Sequence, residues 1–296
     1  MPEVITSPSN PKIKRLLALQ QKSSARREAG LFVVEGRREL QHCIDAGFEI
    51  DTVFYCPSFL ASGSGELPLK TSGCAGPLPL PSEAGPSLLR SRGWLRFSEA
   101  VAASPKEFEV SEEVYAKIAM REGTEGVIAE VRAKERRLED LALPERPLVV
   151  VLESVEKPGN LGAVLRSADA AGVDAVLFCD PLTDLWNPNL IRASIGAVFT
   201  VPCVACSSAE AIAFLKARGI RILTAQLQDS SLYYDCDMTV GTALVMGTES
   251  TGLTDVWREA ADAHIRIPML GRLDSLNVSV SAAILLFEAV RQRQNG

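Results

Sequence analysis

LVVVLESVEKPGNLGAVLRSADAAGVDAVLFC, residues 148–179, decides the fold. Its first five residues, Leu148 to Leu152, form a continuous apolar run of strand length. Residues 175–179 form another. Between them the pattern turns helical over 161–171, and Gly172 stops it. Strands that are apolar throughout, joined through a helix, belong to a parallel sheet covered on both faces. The rhythm continues downstream. Strands are predicted at 220–224, 242–246 and 263–267. A short helix starts at Asn189, another spans 209–217, and a closing helix spans 276–291. Residues 148–296 therefore read as an α/β domain with a mostly parallel sheet. Such sheets bind ligands at the carboxyl ends of their strands. The loops after 152, 179, 224, 246 and 267 are where chemistry is expected.

Upstream, Ser9-Asn10-Pro11 opens a helix, with a cap and a first-turn proline. Lys12, Lys14, Arg15, Lys22, Arg26 and Arg27 give it a basic face. A strand at 31–34, a helix over 37–46 stopped by Gly47, and a strand at 52–56 follow. Residues 57–93 are rich in glycine, proline and serine without a period, which predicts a long surface insertion. Order resumes near Phe97, with a helix from Ser111 and a strand over 126–131. Residues 1–132 thus read as a small α/β domain, and 133–147, charged and ending in Pro147, as a linker.

Composition agrees with two globular domains. The chain has 296 residues, 47% of them hydrophobic, where about 150 residues suffice for one domain. The net charge of -6 argues against a protein that coats nucleic acid unspecifically. Yet residues 1–40 hold eight Lys/Arg against four Asp/Glu, while 148–296 hold 11 against 16. A phosphate-contacting face and a solvated helix both fit the first segment. Seven cysteines, an odd number, with no secretory segment ahead of them point to a reducing intracellular, cytoplasmic setting. No apolar run reaches the length of about 18 residues that spans a membrane. Cys203-Val-Ala-Cys206 is a lone CxxC, and His42 and His264 are the only histidines. Buried thiols are expected there rather than a metal site, which needs four ligands.

Three loops carry the functional signal. The first holds Asn160 and Gly162, with Arg166 on an otherwise small and apolar helix. An arginine there calls for a carboxylate or phosphate, in a structural ion pair or a site. Asn160 could cap that helix. The second, Met246-Gly247-Thr248-Glu249-Ser250-Thr251-Gly252-Leu253, sets a carboxylate between glycines just past a strand. The third runs from Ile267-Pro268-Met269 through Gly271 to Ser275, Leu276, Asn277 and Ser279 at a helix start. GxGxxG and GxxxxGK are both absent, so neither a dinucleotide fingerprint nor a P-loop is present. The residues alone imply an α/β protein with a nucleotide-like ligand.

In order, these loops resemble the three motifs of the SpoU-type, or TrmH family, RNA 2′-O-ribose methyltransferases of the SPOUT superfamily. NPNLIRASIGAVFTVP at 187–202 is also similar to the family pattern. Phe32-Val33-Val34-Glu35-Gly36 resembles the start of the family's ribosomal-protein-like substrate-binding domain. The resemblance implies a parallel sheet with a C-terminal trefoil knot, a homodimer, and S-adenosyl-L-methionine as the cofactor. The partner it implies is structured RNA, ribosomal by analogy with two-domain members. A transfer RNA enzyme and a non-catalytic RNA-binding dimer are the alternatives. It carries catalytic roles to Arg166, Glu249, Ser275, Asn277 and Asn160. It carries cofactor contacts to Leu223, Thr224, Gly247, Ile267, Met269 and Leu276, and it requires no metal. Arg166 either activates the 2′-hydroxyl or stabilises the developing alkoxide. Arg37, Arg38 and the basic helix near 12–27 are the expected phosphate contacts. Thr248, Ser250 and Lys157 depart from the family's usual asparagine, glycine and acidic residue.

Overall fold

The structure is a computed structural model that describes residues 3–62, 106–120, 125–248, 250–272 and 275–295. The chain divides into two compact units, Met1–Ala133 and Lys134–Gly296.

The first unit runs β1 (Glu3–Ile5), α1 (Pro11–Gln21), α2 (Ser23–Ala29), β2 (Leu31–Glu35), α3 (Arg37–Asp45), β3 (Ile50–Tyr55), α4 (Pro57–Ser62), β4 (Lys106–Val110), α5 (Glu112–Ile118) and β5 (Val127–Arg132). Its sheet has the order β1-β4-β3-β5-β2. β4 is parallel to β1 and β3, and β5 is antiparallel to β3 and β2. Asn10 caps α1, its Oδ1 accepting from the Lys12 N–H at 2.9 Å. α1 buries Ile13, Leu16 and Leu19 in one cluster with Val33 and Phe54 of the sheet. The expected single helix is two. Lys22, at φ -119 and ψ 120, is extended and breaks it, and Gly30 at φ 61 ends the second piece. The segment expected to be irregular from residue 57 opens as α4. Residues 63–93 of that expectation, and Phe97, lie outside the described residues.

The second unit runs β6 (Leu148–Glu153), α6 (Pro158–Ala171), β7 (Ala175–Cys179), α7 (Pro188–Ala193), α8 (Ala197–Thr200), β8 (Cys203–Cys206), α9 (Ser208–Ala217), β9 (Arg221–Ala225), β10 (Ser231–Leu232), β11 (Thr242–Met246), α10 (Asp255–Ala260), β12 (Ala263–Arg266) and α11 (Val278–Asn295). All seven strands are parallel, in the order β10-β12-β9-β11-β6-β7-β8. β6 and β7 are buried at every residue, which is why they read as unbroken apolar runs. From Lys134 on, the stretch expected to be a linker is part of this unit. Leu138 and Leu141 join its core with Val149, Phe214 and Trp257. Arg293 near the chain's end closes the same corner. Its guanidinium donates to the carbonyls of Arg146, Pro147, Met238 and Val240 at 2.7–3.0 Å.

Candidate active site

β9, β11 and β12 lie side by side, and their carboxyl ends open into a cavity of about 370 Å³. That size falls within the range of small-molecule sites, roughly 300–1,000 Å³. Its walls mix apolar side chains, among them Leu227, Met246, Ile265 and Leu285, with Gln226, Gln228, Arg258 and Arg266.

The loop after β11 is folded tightly on itself. Thr248 and Gly252 form an isolated antiparallel bridge, and the Gly252 N–H donates to the Thr248 carbonyl at 3.0 Å. Gly252 has φ 68, a left-handed conformation that glycine adopts without strain. Gly247 passes so close to this turn that a Cβ would lie 2.6 Å from the Leu253 nitrogen. Glu249 belongs to this loop in sequence and lies outside the described residues. The far end of the loop is tied down by a residue that sequence reasoning missed. Glu153, the last residue of β6 and 3% exposed, accepts from the Thr254 N–H at 2.9 Å and its hydroxyl at 2.6 Å.

Gly247, Ile267, Met269 and Leu276 line the cavity, and so does Ser275. Leu223 and Thr224 do not. Both are completely buried inside β9, and the Thr224 hydroxyl lies 2.6 Å from His264 Nδ1 on β12. The strand reaches Ala225 before it ends, so the wall is made by Ala225, Gln226, Leu227 and Gln228 instead. The rule that ligands sit beyond strand ends pointed to this loop, but the expected residues stop short of it. Arg258 and Arg266 were also missed, because no motif marks them.

Asn160 is not a helix cap. Lys157 holds that position, and Asn160 is the third residue of α6. Its Oδ1 accepts from the Asn277 amide at 3.2 Å, which joins the first and third loops. The Asn277 Oδ1 accepts from the Ser279 N–H at 3.0 Å and its hydroxyl at 2.6 Å, fixing the start of α11. Arg166 lies two turns along α6 from this pair. Its side chain is exposed, lies outside the cavity lining, and makes no hydrogen bond or ion pair among the described residues. A side chain so placed can meet an anion from outside its own domain.

In the first unit, several expected phosphate contacts already have protein partners. Lys12 pairs with Glu3 at 2.8 Å, and Arg15 with Glu130 and Asp51. Arg26 is buried and donates to the carbonyls of Leu19 and Gln20. Lys14, Lys22, Arg27 and Arg38 are exposed. Among the described residues, no group of three or more His, Cys, Asp or Glu could hold a metal ion. No helix among them is long and apolar enough to cross a membrane.

The fold and the cavity define an α/β protein with a small-molecule site at the strand ends of a parallel sheet. The SpoU rRNA methylase family matches residues 147–287, and an MRM3-like substrate-binding domain matches residues 10–75. A 23S rRNA (guanosine-2′-O-)-methyltransferase RlmB from Vibrio vulnificus is 40% identical over 175 residues, 57% of this chain and 71% of its own length. A 23S rRNA (uridine(2479)-2′-O)-methyltransferase from Streptomyces viridochromogenes is 29% identical over 293 residues, 97% of this chain and 92% of its own. An AdoMet-bound rRNA methyltransferase from Sinorhizobium meliloti has a similar crystal structure. Its TM-score is 0.80 at 28% identity, over 98% of this chain and 97% of that one. This chain belongs to the SpoU rRNA methylase family.

Proposed function

We propose that this protein transfers the methyl group of S-adenosylmethionine to a ribose 2′-hydroxyl of ribosomal RNA. The observation that carries this reading is the cavity itself. It is walled by the loops that follow β11 and β12, where the second and third family motifs fall. Its apolar walls suit an adenine, and Gly247, which lines it, packs closely against the Gly252 turn. The cofactor, when bound, supplies a methyl group already activated on a sulfonium.

The chain's own residues then have only to orient a weakly nucleophilic hydroxyl and stabilise the charge that develops on it. Arg166 is the candidate for the second role. A guanidinium stays protonated in proteins, so it stabilises an alkoxide or grips a neighbouring phosphate more readily than it removes a proton. Asn277 and Asn160, bonded to each other, hold the first and third loops at a fixed spacing. Ser275, at the cavity wall, is the third-motif hydroxyl assigned to orienting the ribose. Glu249 is assigned to positioning within the second motif.

The same proposal includes a homodimer. Val280 and Phe287 on α11 are 47% and 49% exposed, and residues seven apart share a helix face. A second copy of this chain is assigned to cover that face. The family's C-terminal trefoil knot is part of the reading, supported by β12 lying beyond β9 while α11 returns to pack against α6. Selection of the RNA is assigned to the first unit, through Lys14, Lys22, Arg27 and Arg38. The action is assigned to the cell interior, where ribosomal RNA is found. The two relatives named above differ in the base they modify, and the target nucleotide is left open.

The test is transfer of radiolabelled methyl from S-adenosylmethionine to ribosomal RNA by the wild-type protein and by Arg166→Ala. Removal of a charge-stabilising donor is expected to slow transfer by about 100-fold or more, with cofactor affinity kept. Cofactor binding with no transfer to any RNA would leave a non-catalytic RNA-binding protein and overturn the proposal.

A further inference from the structure

The CxxC at Cys203 and Cys206 suggests one thiol pair, and the structure presents another. Both residues lie on β8, where an odd separation sends side chains to opposite faces. The Cys203 thiol turns inward, and burial pushes it up to about 12. Cys206 faces the other way, towards β7. There it stands in register with Cys179, the two Cα positions paired across a parallel ladder. Their Sγ atoms are 4.0 Å apart. Neighbouring strands lie about 4.7–4.9 Å apart, inside the Cα range of about 4.4–6.8 Å that a disulfide accepts.

We infer that Cys179 and Cys206 form a reversible disulfide, and that this pair is a thiol modification site at the carboxyl ends of β7 and β8. This inference rests on the strand register and not on the proposed methyl transfer.

The two thiols divide the work. Cys179 is completely buried, while Cys206 is partly exposed and can be reached from solvent. The Cys179 thiol, as hydrogen-bond partner, pulls Cys206 below the ordinary thiol value, and the same contact pushes Cys179 up. Cys206 is therefore the thiolate that reacts first. The oxidant is hydrogen peroxide. The Cys206 sulfur attacks one peroxide oxygen, the O–O bond breaks, and a sulfenic acid and one water result. The Cys179 sulfur then attacks the sulfenic sulfur. The S–S bond forms, the S–O bond breaks, and the leaving hydroxide takes the Cys179 proton as a second water. Two electrons pass from the sulfurs to the peroxide, and two thiols become one disulfide.

Closing from 4.0 Å to a bond of about 2.05 Å is a movement of the two side chains at the strand ends. Those ends anchor two loops. The Cys179 carbonyl accepts from the Ser154 N–H at 2.9 Å, and the Cys206 carbonyl from the Asp180 N–H at 2.9 Å. Ser154 and Asp180 both have positive φ, 51 and 47. A dithiol reductant returns the pair to two thiols by thiol–disulfide exchange.

The test treats the full-length protein with hydrogen peroxide, blocks the remaining thiols, and maps a non-reduced tryptic digest by mass. The expected product links peptide 167–192 to peptide 193–216, and dithiothreitol removes it. The link should persist in Cys203→Ser and vanish in Cys206→Ser and in Cys179→Ser. Circular dichroism of each variant checks that it is folded. A link that survives Cys206→Ser would move the bond to Cys203 and overturn the inference. So would folded wild-type protein in which Cys206 stays reduced or advances to the sulfinic acid without linkage.

Discussion

Thr254→Val isolates one buried hydrogen bond that holds the cavity loop. Glu153 is 3% exposed, and its carboxylate receives two bonds from Thr254, one from the main chain and one from the hydroxyl at 2.6 Å. Valine has nearly the shape of threonine and keeps the main-chain bond. Residue 254 is itself exposed and makes no side-chain cap to α10, so no other side-chain hydrogen bond is lost, and the methyl group that replaces the hydroxyl faces the same Glu153 oxygen. The substitution therefore takes one partner from a buried carboxylate oxygen. A hydrogen bond to a charged group contributes roughly 1.5–3 kcal/mol, and the abandoned oxygen cannot turn to water. For a domain of this size each kcal/mol moves the thermal midpoint by about 2–4 °C, so a fall of about 3–12 °C is expected. The assay is thermal unfolding followed by circular dichroism, with Thr254→Ser as the control that keeps the hydroxyl. If valine melts together with wild type while serine does too, the Glu153 clamp contributes nothing and the reasoning fails.

Gly162→Ala should destabilise the second unit by about 1–3 kcal/mol, the usual cost of overpacking. Its Cβ would stand 2.5 Å from the Ala193 Cβ and 2.7 Å from the Ser194 nitrogen, where α6 crosses α7. An unchanged midpoint in chemical denaturation would show that the two helices separate freely. In the first unit, burial raises the Glu130 carboxyl above its ordinary value of 4.5, against the opposing pull of Arg15. The folded state thus holds that proton more tightly than the unfolded one. The associated stability is complete below pH 4.5 and disappears as pH rises through the folded value. Glu130→Gln removes this dependence, so its advantage over wild type should grow between about pH 4 and about pH 7. A pH-independent difference in midpoint would contradict it.

The second unit was more legible than the first, and burial explains the difference. β6, β7 and β11 are enclosed on both faces, so each is an unbroken apolar run with one reading. β1 has three residues and β10 two, too few for any period to register. β8 was hidden behind its cysteines, and α10 by the polar residues of its exposed face. The hinge at Lys22 carries no glycine or proline to announce it. In the candidate site, loops were readable where glycines and small residues forced the backbone into one path. Gly247, Ile267, Met269 and Leu276, which the family resemblance singled out, line the cavity. Thr224 was misplaced because a strand end is uncertain by a residue in sequence, and one residue decides whether a side chain faces a cavity or a neighbouring strand. Glu153 escaped notice because its partner lies 101 positions away.

The sheet order also sets a timetable. The cavity is walled by residues between 225 and 285, so every wall is made after β9 has begun. Chains are made from the amino terminus, and domains fold as they emerge. The first unit and the strands β6 to β8 can be finished before any part of the cavity has left the ribosome. A nascent or truncated chain lacking β12 and α11 would have most of its sheet and no pocket. Ligand binding is therefore acquired only once β12 and α11 have been made, and it reports on their folding more faithfully than secondary structure does.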